Sequence, residues 1–192
     1  MNQTAPTAAP ARPGRHRVRW IAGGALVIAA GLVAVLATRP PASVALADSP
    51  LLGKPAPSLA GTTLSGSHFA LPSRPGHYVV VNFFASWCEP CQQEGPELVR
   101  FAFEHDRTGD AQLVSVVFQD EDSTARSYQA QLGATWPTLS DPGGAIALAY
   151  GVRAPPTTFV VAPDGRVVAS VIAPVTAADL DHVLAQVRAS RP

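Results

Sequence analysis

Two uninterrupted apolar runs, "HYVVVNFFA" at 77–85 and "AQLVSVVF" at 111–118, flank the segment "EPCQQEGPELVRFAFEHDR". Continuous β-branched and aromatic runs of this length are expected of strands covered on both faces. The segment between them sets Leu98, Val99, Phe101 and Phe103 among charges and reads as a helix. Strand, helix and strand in that order form a right-handed crossover with parallel strands. Such a unit gives the chain the rhythm of an α/β domain. The chain has 192 residues, enough for one domain of about 140 residues that buries a core without cross-links, plus a further segment.

Downstream, helices are expected at Ser123–Leu132 and Gly144–Tyr150. "PTTFVVAPDGRVVASVI" at 156–172 reads as two strands joined by a turn at Pro163-Asp164-Gly165. The last helix, within 176–190, has Thr176 as N-cap, Asp179 three positions on, and Leu180, Val183, Leu184 and Val187 along one face.

The N-terminal part is of another kind. "WIAGGALVIAAGLVAVLAT" at 20–38 holds no charge and would span about 28 Å as a helix, close to the thickness of a bilayer's hydrocarbon core. Arg15, Arg17 and Arg19 precede it, which orients the N-terminus inward and everything after Thr38 outward. A cleaved signal peptide is the alternative, since "ALA" at 45–47 suits a peptidase, although it lies behind Pro40 and Pro41. Either way the domain crosses the membrane. The expected organisation is a cytoplasmic tail at 1–19, a transmembrane anchor at 20–38, an extended linker at 39–50 and a folded domain at 51–192. Residues up to Ala47 carry five arginines and no acid, whereas the rest carries a net charge of −5. A globular part so charged is a poor ligand for nucleic acid.

Both cysteines of the chain lie in "WCEPC", as Cys88 and Cys91. A structural zinc site needs four ligands, and neither a second C-x-x-C nor a histidine cluster accompanies them, so no metal is expected. A structural disulfide stabilises by closing a long loop, and two intervening residues close almost none. Redox chemistry remains. Cys88 follows a strand, and Glu89 and Pro90 open a helix, whose unpaired N–H groups favour a thiolate there. Cys88 is the expected nucleophile and Cys91, one turn in, the resolving thiol. Pro96 should kink that helix at Gln92, unless it begins a second one. Glu94 falls on the same helical side as Cys91 and could exchange its proton; a solvated surface glutamate is the alternative.

"VVVNFFASWCEPC" followed by "PTTFVVAPDGRVV" resembles the thioredoxin superfamily, and more narrowly its membrane-anchored ResA/TlpA/CcmG-type thiol–disulfide oxidoreductases. The likeness extends from "LLGKPAPSLAG" at 51–61 to the last helix. It implies an α/β thioredoxin-like fold: a central mixed sheet flanked by helices, with an N-terminal β extension and a helical insertion between Asp120 and Gly151. It implies that Glu94 is an active-site glutamate and that Pro156 forms a cis bond after Pro155, with Trp87, Pro155 and Pro156 meeting the client. Where cytoplasmic thioredoxins have a buried aspartate, this chain has Asn82, which cannot titrate. Gln92 replaces their usual lysine. With Glu89 and Glu94 nearby, the lowering of the Cys88 pKa should be moderate.

The resemblance further implies a reductant of client protein disulfides outside the cytoplasm, such as those of apocytochrome c. Its redox centre would be the Cys88–Cys91 disulfide with no added cofactor, re-reduced by an electron donor in the membrane. Three alternatives stand beside this. The same fold can introduce disulfides into exported proteins. A thiol peroxidase would need a threonine near the peroxidatic cysteine, and none stands in Phe84-Ala85-Ser86-Trp87. A noncatalytic binding module would work without Cys88.

Overall fold

The structure, a computed structural model, describes Gly31, which is helical, and residues 46–71 and 76–190. The chain divides into two units, Met1–Ser43 and Val44–Pro192, and every element named below belongs to the second. The tail expected at 1–19 and the span expected at 20–38 lie outside the described residues, Gly31 apart. The expected linker is described only from Leu46. Among the described residues no helix is long and apolar enough to cross a membrane.

Among the described residues of this unit, seven strands and four helices follow in the order β1 (Ala60–Thr62), β2 (His68–Ala70), β3 (Tyr78–Phe84), α1 (Glu89–Thr108), β4 (Ala111–Val117), α2 (Asp122–Leu132), β5 (Thr138–Leu139), α3 (Ala145–Tyr150), β6 (Thr157–Val161), β7 (Val167–Val171) and α4 (Ala177–Ala189). Five strands make the central sheet in the order β5-β4-β3-β6-β7. β3 runs parallel to β4 and antiparallel to β6, so the sheet is mixed. β1 and β2 form a separate antiparallel pair, the expected N-terminal extension.

All seven residues of β3 are buried, which is why its sequence shows no alternation. Its side chains still alternate in direction. Val80 packs with Phe101 of α1, Val160 and Leu184 of α4 on one face, while Val81 and Phe83 pack with Val116, Tyr150 and Phe159 on the other. Burial of these side chains, at roughly 1.5–3 kcal/mol each, supplies most of the drive for the fold.

α1 is one continuous helix through Pro96, so the possibility of a second helix starting there is set aside. It ends at Gly109, whose φ of 67° is the left-handed conformation that glycine adopts without strain. Of the apolar residues that mark this helix, Leu98 and Phe101 are buried and Phe103 is not. It is 65% exposed, and the Arg107 guanidinium lies over its ring. α4 begins with a reciprocal capping box between Thr176 and Asp179, and Leu180, Val183, Leu184 and Val187 are all buried. The turn at Pro163-Asp164-Gly165 joins β6 to β7, with Gly165 N–H donating to the Ala162 carbonyl at 2.8 Å.

The opening segment lies along β7: Ala47 N–H donates to the Ser170 carbonyl at 2.7 Å, and Gly53 N–H to that of Val167 at 2.8 Å. These contacts cover part of the outer edge of β7, where an open strand would invite pairing with another chain.

Candidate active site

Cys88 stands between β3 and α1 as the N-cap of the helix, with extended backbone angles. Its sulfur accepts a hydrogen bond from the Cys91 N–H at 3.2 Å, one of the helix's four otherwise unpartnered amides. The two cysteines form a disulfide with a Cα–Cα distance of 5.2 Å, and both residues are buried. The preceding loop is tied at three points. Ser86 N–H donates to Asp120 Oδ2 at 2.7 Å, the Trp87 indole N–H donates to the Gln119 carbonyl at 3.1 Å, and the Gln92 amide donates to the Ser86 carbonyl at 2.6 Å. Gln119 reaches this position with a φ of 45°, a left-handed conformation that costs a side-chain-bearing residue some stability.

Trp87 is 58% exposed beside the buried disulfide. The Pro155–Pro156 peptide bond is cis; Pro156 is buried and Pro155 half-buried. β6 starts one residue later, and its Thr157 pairs with Phe83 near the end of β3. The cis bond therefore lies at the same end of the sheet as the cysteines.

Glu94 is 2% exposed, so the solvated-glutamate alternative falls. Its Oε1 accepts from Asn82 Nδ2 at 2.8 Å and its Oε2 from Val175 N–H at 3.0 Å. Burial raises its pKa from 4.5 to about 7, against the opposing pull of those two hydrogen bonds. Such a carboxyl exchanges protons near neutral pH. Glu94 and Cys91 line one small cavity together with Asn82, Tyr128, Gln129 and Trp136.

Several of these residues do not stand out in the sequence, and most come from the helical insertion. The Tyr128 hydroxyl donates to the Cys91 carbonyl at 3.1 Å, and the Trp136 indole N–H to Ser115 Oγ at 2.8 Å. α2 comes this close to α1 because Gly95 is there: a Cβ at that position would stand 2.6 Å from the Tyr128 hydroxyl. The sequence marks Asn82 only for what it cannot do. In the fold its amide holds Glu94 and also donates to Thr158 Oγ1 at 3.2 Å. The available signal is a polar residue in the middle of an otherwise apolar strand.

A mixed sheet carrying a C-x-x-C disulfide at the head of a helix, across from a cis-proline, defines a thiol–disulfide oxidoreductase of thioredoxin-like fold. The chain belongs to the AhpC/TSA family, whose profile matches residues 52–170. It is 30% identical over 139 residues to a thiol–disulfide oxidoreductase ResA of Bacillus cereus, covering 71% of this chain and 78% of that one. It is 34% identical over 104 residues to the thiol:disulfide interchange protein HelX of Rhodobacter capsulatus, covering 54% and 56%. Among solved structures, a thioredoxin-family thiol:disulfide interchange protein of Chlorobium tepidum superposes with a TM-score of 0.64 at 26% identity, covering 73% of this chain and 99% of that one. The enzyme is thus a thiol–disulfide oxidoreductase of the ResA/CcmG type.

Proposed function

We propose that this enzyme is a membrane-anchored reductant of specific client disulfides on the extracytoplasmic side, with the C-x-x-C-H cysteines of apocytochrome c as the type of client. The observation that carries the reading is Glu94, a buried carboxyl with a pKa near 7 in the wall of the cavity that Cys91 lines. In the reduced enzyme the Cys88 thiolate, favoured by the Cys91 N–H, attacks one sulfur of the client disulfide. A mixed disulfide forms and the client's other sulfur leaves as a thiolate. Glu94 then takes the proton of the Cys91 thiol, and the Cys91 sulfur attacks Cys88. The Cys88–Cys91 bond forms, the bond to the client breaks, and the client departs with both of its sulfurs reduced. A membrane donor of two electrons restores the dithiol, and no added cofactor takes part.

Trp87, Pro155 and Pro156 hold the client. Trp87 offers an apolar surface beside the disulfide, and the backbone around the cis bond offers pairing to an extended peptide. The span at 20–38 and the arginines before it support the anchor and its orientation.

The reduction potential tests the direction of flow. Disulfide couples of this fold range from about −270 mV for thioredoxin, a reductant, to about −120 mV for DsbA, an oxidant. Helix-head stabilisation of the thiolate is opposed here by Glu89 and Glu94, with no lysine after Cys91, so a value toward the thioredoxin end is expected. A value near the DsbA end would overturn the reductant reading while leaving the exchange chemistry intact.

A further inference from the structure

α1 is weakened one turn beyond Cys91. Gly95 and Pro96 stand side by side inside it, and these are the two poorest helix formers. Pro96 has no N–H, so the Gln92 carbonyl lacks the donor that a regular helix supplies. A brace from outside the helix meets this turn. The Tyr128 hydroxyl of α2 donates to the Cys91 carbonyl at 3.1 Å, and the bare backbone of Gly95 leaves it room: a Cβ there would stand 2.6 Å from the hydroxyl oxygen. The Tyr128 ring lies against Phe84, the last residue of β3, with 5.8 Å between centroids. One side chain thus touches both segments that carry the cysteines, the end of β3 that leads into Cys88 and the first turn of α1 that holds Cys91. Phe84, Cys88, Cys91 and Tyr128 pack in one cluster. Burial, and secondarily the Glu94 charge, raise the pKa of Tyr128, so its hydroxyl keeps the proton and remains a donor.

We propose that Tyr128 is a positioning residue for the second step of the exchange, holding the Cys91 backbone within reach of Cys88 while no covalent bond joins the two. The proposal rests on the catalytic reading above and deepens it, giving the helical insertion a part in client release. In the oxidised enzyme the disulfide itself fixes both residues. In the mixed disulfide that bond is open: Cys88 is joined to the client, and the Cys91 sulfur must come in line with the bond it breaks. The Cys91 thiol loses its proton to Glu94, its sulfur bonds that of Cys88, and the client sulfur departs with the electron pair of the broken bond. The rate of such a step depends steeply on the placing of the reacting atoms, and a turn loosened by Gly95 and Pro96 does not secure it alone. Tyr128 secures it from α2 without touching either sulfur's reaction partner. The first step makes no such demand, because there the client brings its own disulfide to Cys88.

The test separates the two chemical steps. Tyr128→Phe keeps the ring on Phe84 and removes the donor. Formation of the mixed disulfide with an oxidised C-x-x-C-H peptide, measured in a Cys91→Ser background, is expected to be unchanged. Release of the reduced peptide by the two-cysteine enzyme, followed by rapid mixing and acid quench, is expected to slow about three- to tenfold, the equivalent of one hydrogen bond. The midpoint of its pH profile is expected to stay in place, since Glu94 still takes the proton. Unchanged release, equal slowing of both steps or a displaced midpoint overturns the proposal. Gly95→Ala, whose methyl displaces the hydroxyl, is expected to slow release by a similar factor and the double variant no further; factors that multiply overturn the proposal. Ser140→Ala controls for folding, because it removes the bond to Asp122 Oδ2 at the start of α2 and leaves the Tyr128–Cys91 contact in place. Release at the unmodified rate is expected, and slowing equal to that of Tyr128→Phe overturns the proposal. The two readings fail differently: loss of the Cys91→Ser adduct removes the catalytic reading, whereas a persistent adduct with normal release in Tyr128→Phe removes the role of the tyrosine alone.

Discussion

Glu94 is a carboxyl held in surroundings that its type disfavours, 2% exposed in the core. Its folded pKa of about 7 lies above the ordinary 4.5, so between those values the folded protein binds the proton that the unfolded chain has released. Stability therefore falls as pH rises from about 4.5 to 7, is fully present below that window, and is flat above it. The shift corresponds to about 3 kcal/mol. Denaturant unfolding of the oxidised enzyme should show that loss, and Glu94→Gln should abolish the slope. Asn82→Ala removes the donor to Glu94 Oε1 and should destabilise the fold by about 1–3 kcal/mol, more at pH 8 than at pH 5, because the charged carboxylate suffers most. Of this site, Cys88, Cys91, Glu94 and Pro156 are legible in the sequence, because each is fixed by spacing within a short motif or by the superfamily resemblance. The Asn82–Glu94 bond is not, since it joins a strand to a helix and only the packing of β3 against α1 brings the partners together.

At the level of elements, α1 and its neighbour α2 depend on one missing side chain. In an exposed helix Gly→Ala gains about 1 kcal/mol. At Gly95 the added methyl would meet the Tyr128 hydroxyl at 2.6 Å and the Leu132 methyls at 3.0 and 3.1 Å. Gly95→Ala should therefore destabilise by about 1–3 kcal/mol. Tyr128→Phe in the same chain should recover part of the loss, because the closest contact is the hydroxyl; a double-mutant cycle by thermal unfolding reads that coupling. At the other end, Thr176→Ala removes the cap of α4 and should cost about 1 kcal/mol with no effect on exchange kinetics. Helix and strand identities are readable because hydrophobic spacing is a local property. Where elements face is less so: Phe103 fits the apolar pattern of α1 yet lies outside, because the stripe that meets the sheet is fixed by Leu98 and Phe101. The role of the insertion is likewise hidden until α2 is seen to cover the Cys91 side of α1.

For the molecule as a whole, the account divides the labour between an N-terminal anchor and a catalytic domain. An arginine-flanked apolar run precedes an acidic domain, and the two units part at Ser43 and Val44. The account expects the full chain to fractionate with membranes and to be digested by protease added from the extracytoplasmic side. A chain beginning at Val44 should stay in solution and still reduce peptide disulfides. The central claim is that Cys88 engages the client and Cys91 releases it. The most direct measurement mixes the reduced Cys91→Ser enzyme with an oxidised C-x-x-C-H peptide and follows the adduct by intact mass. The account predicts a one-to-one mixed disulfide through Cys88 that persists, while the enzyme with both cysteines frees the reduced peptide. Failure of Cys91→Ser to form an adduct, or an adduct of the same stability through Cys91 in Cys88→Ser, would contradict it.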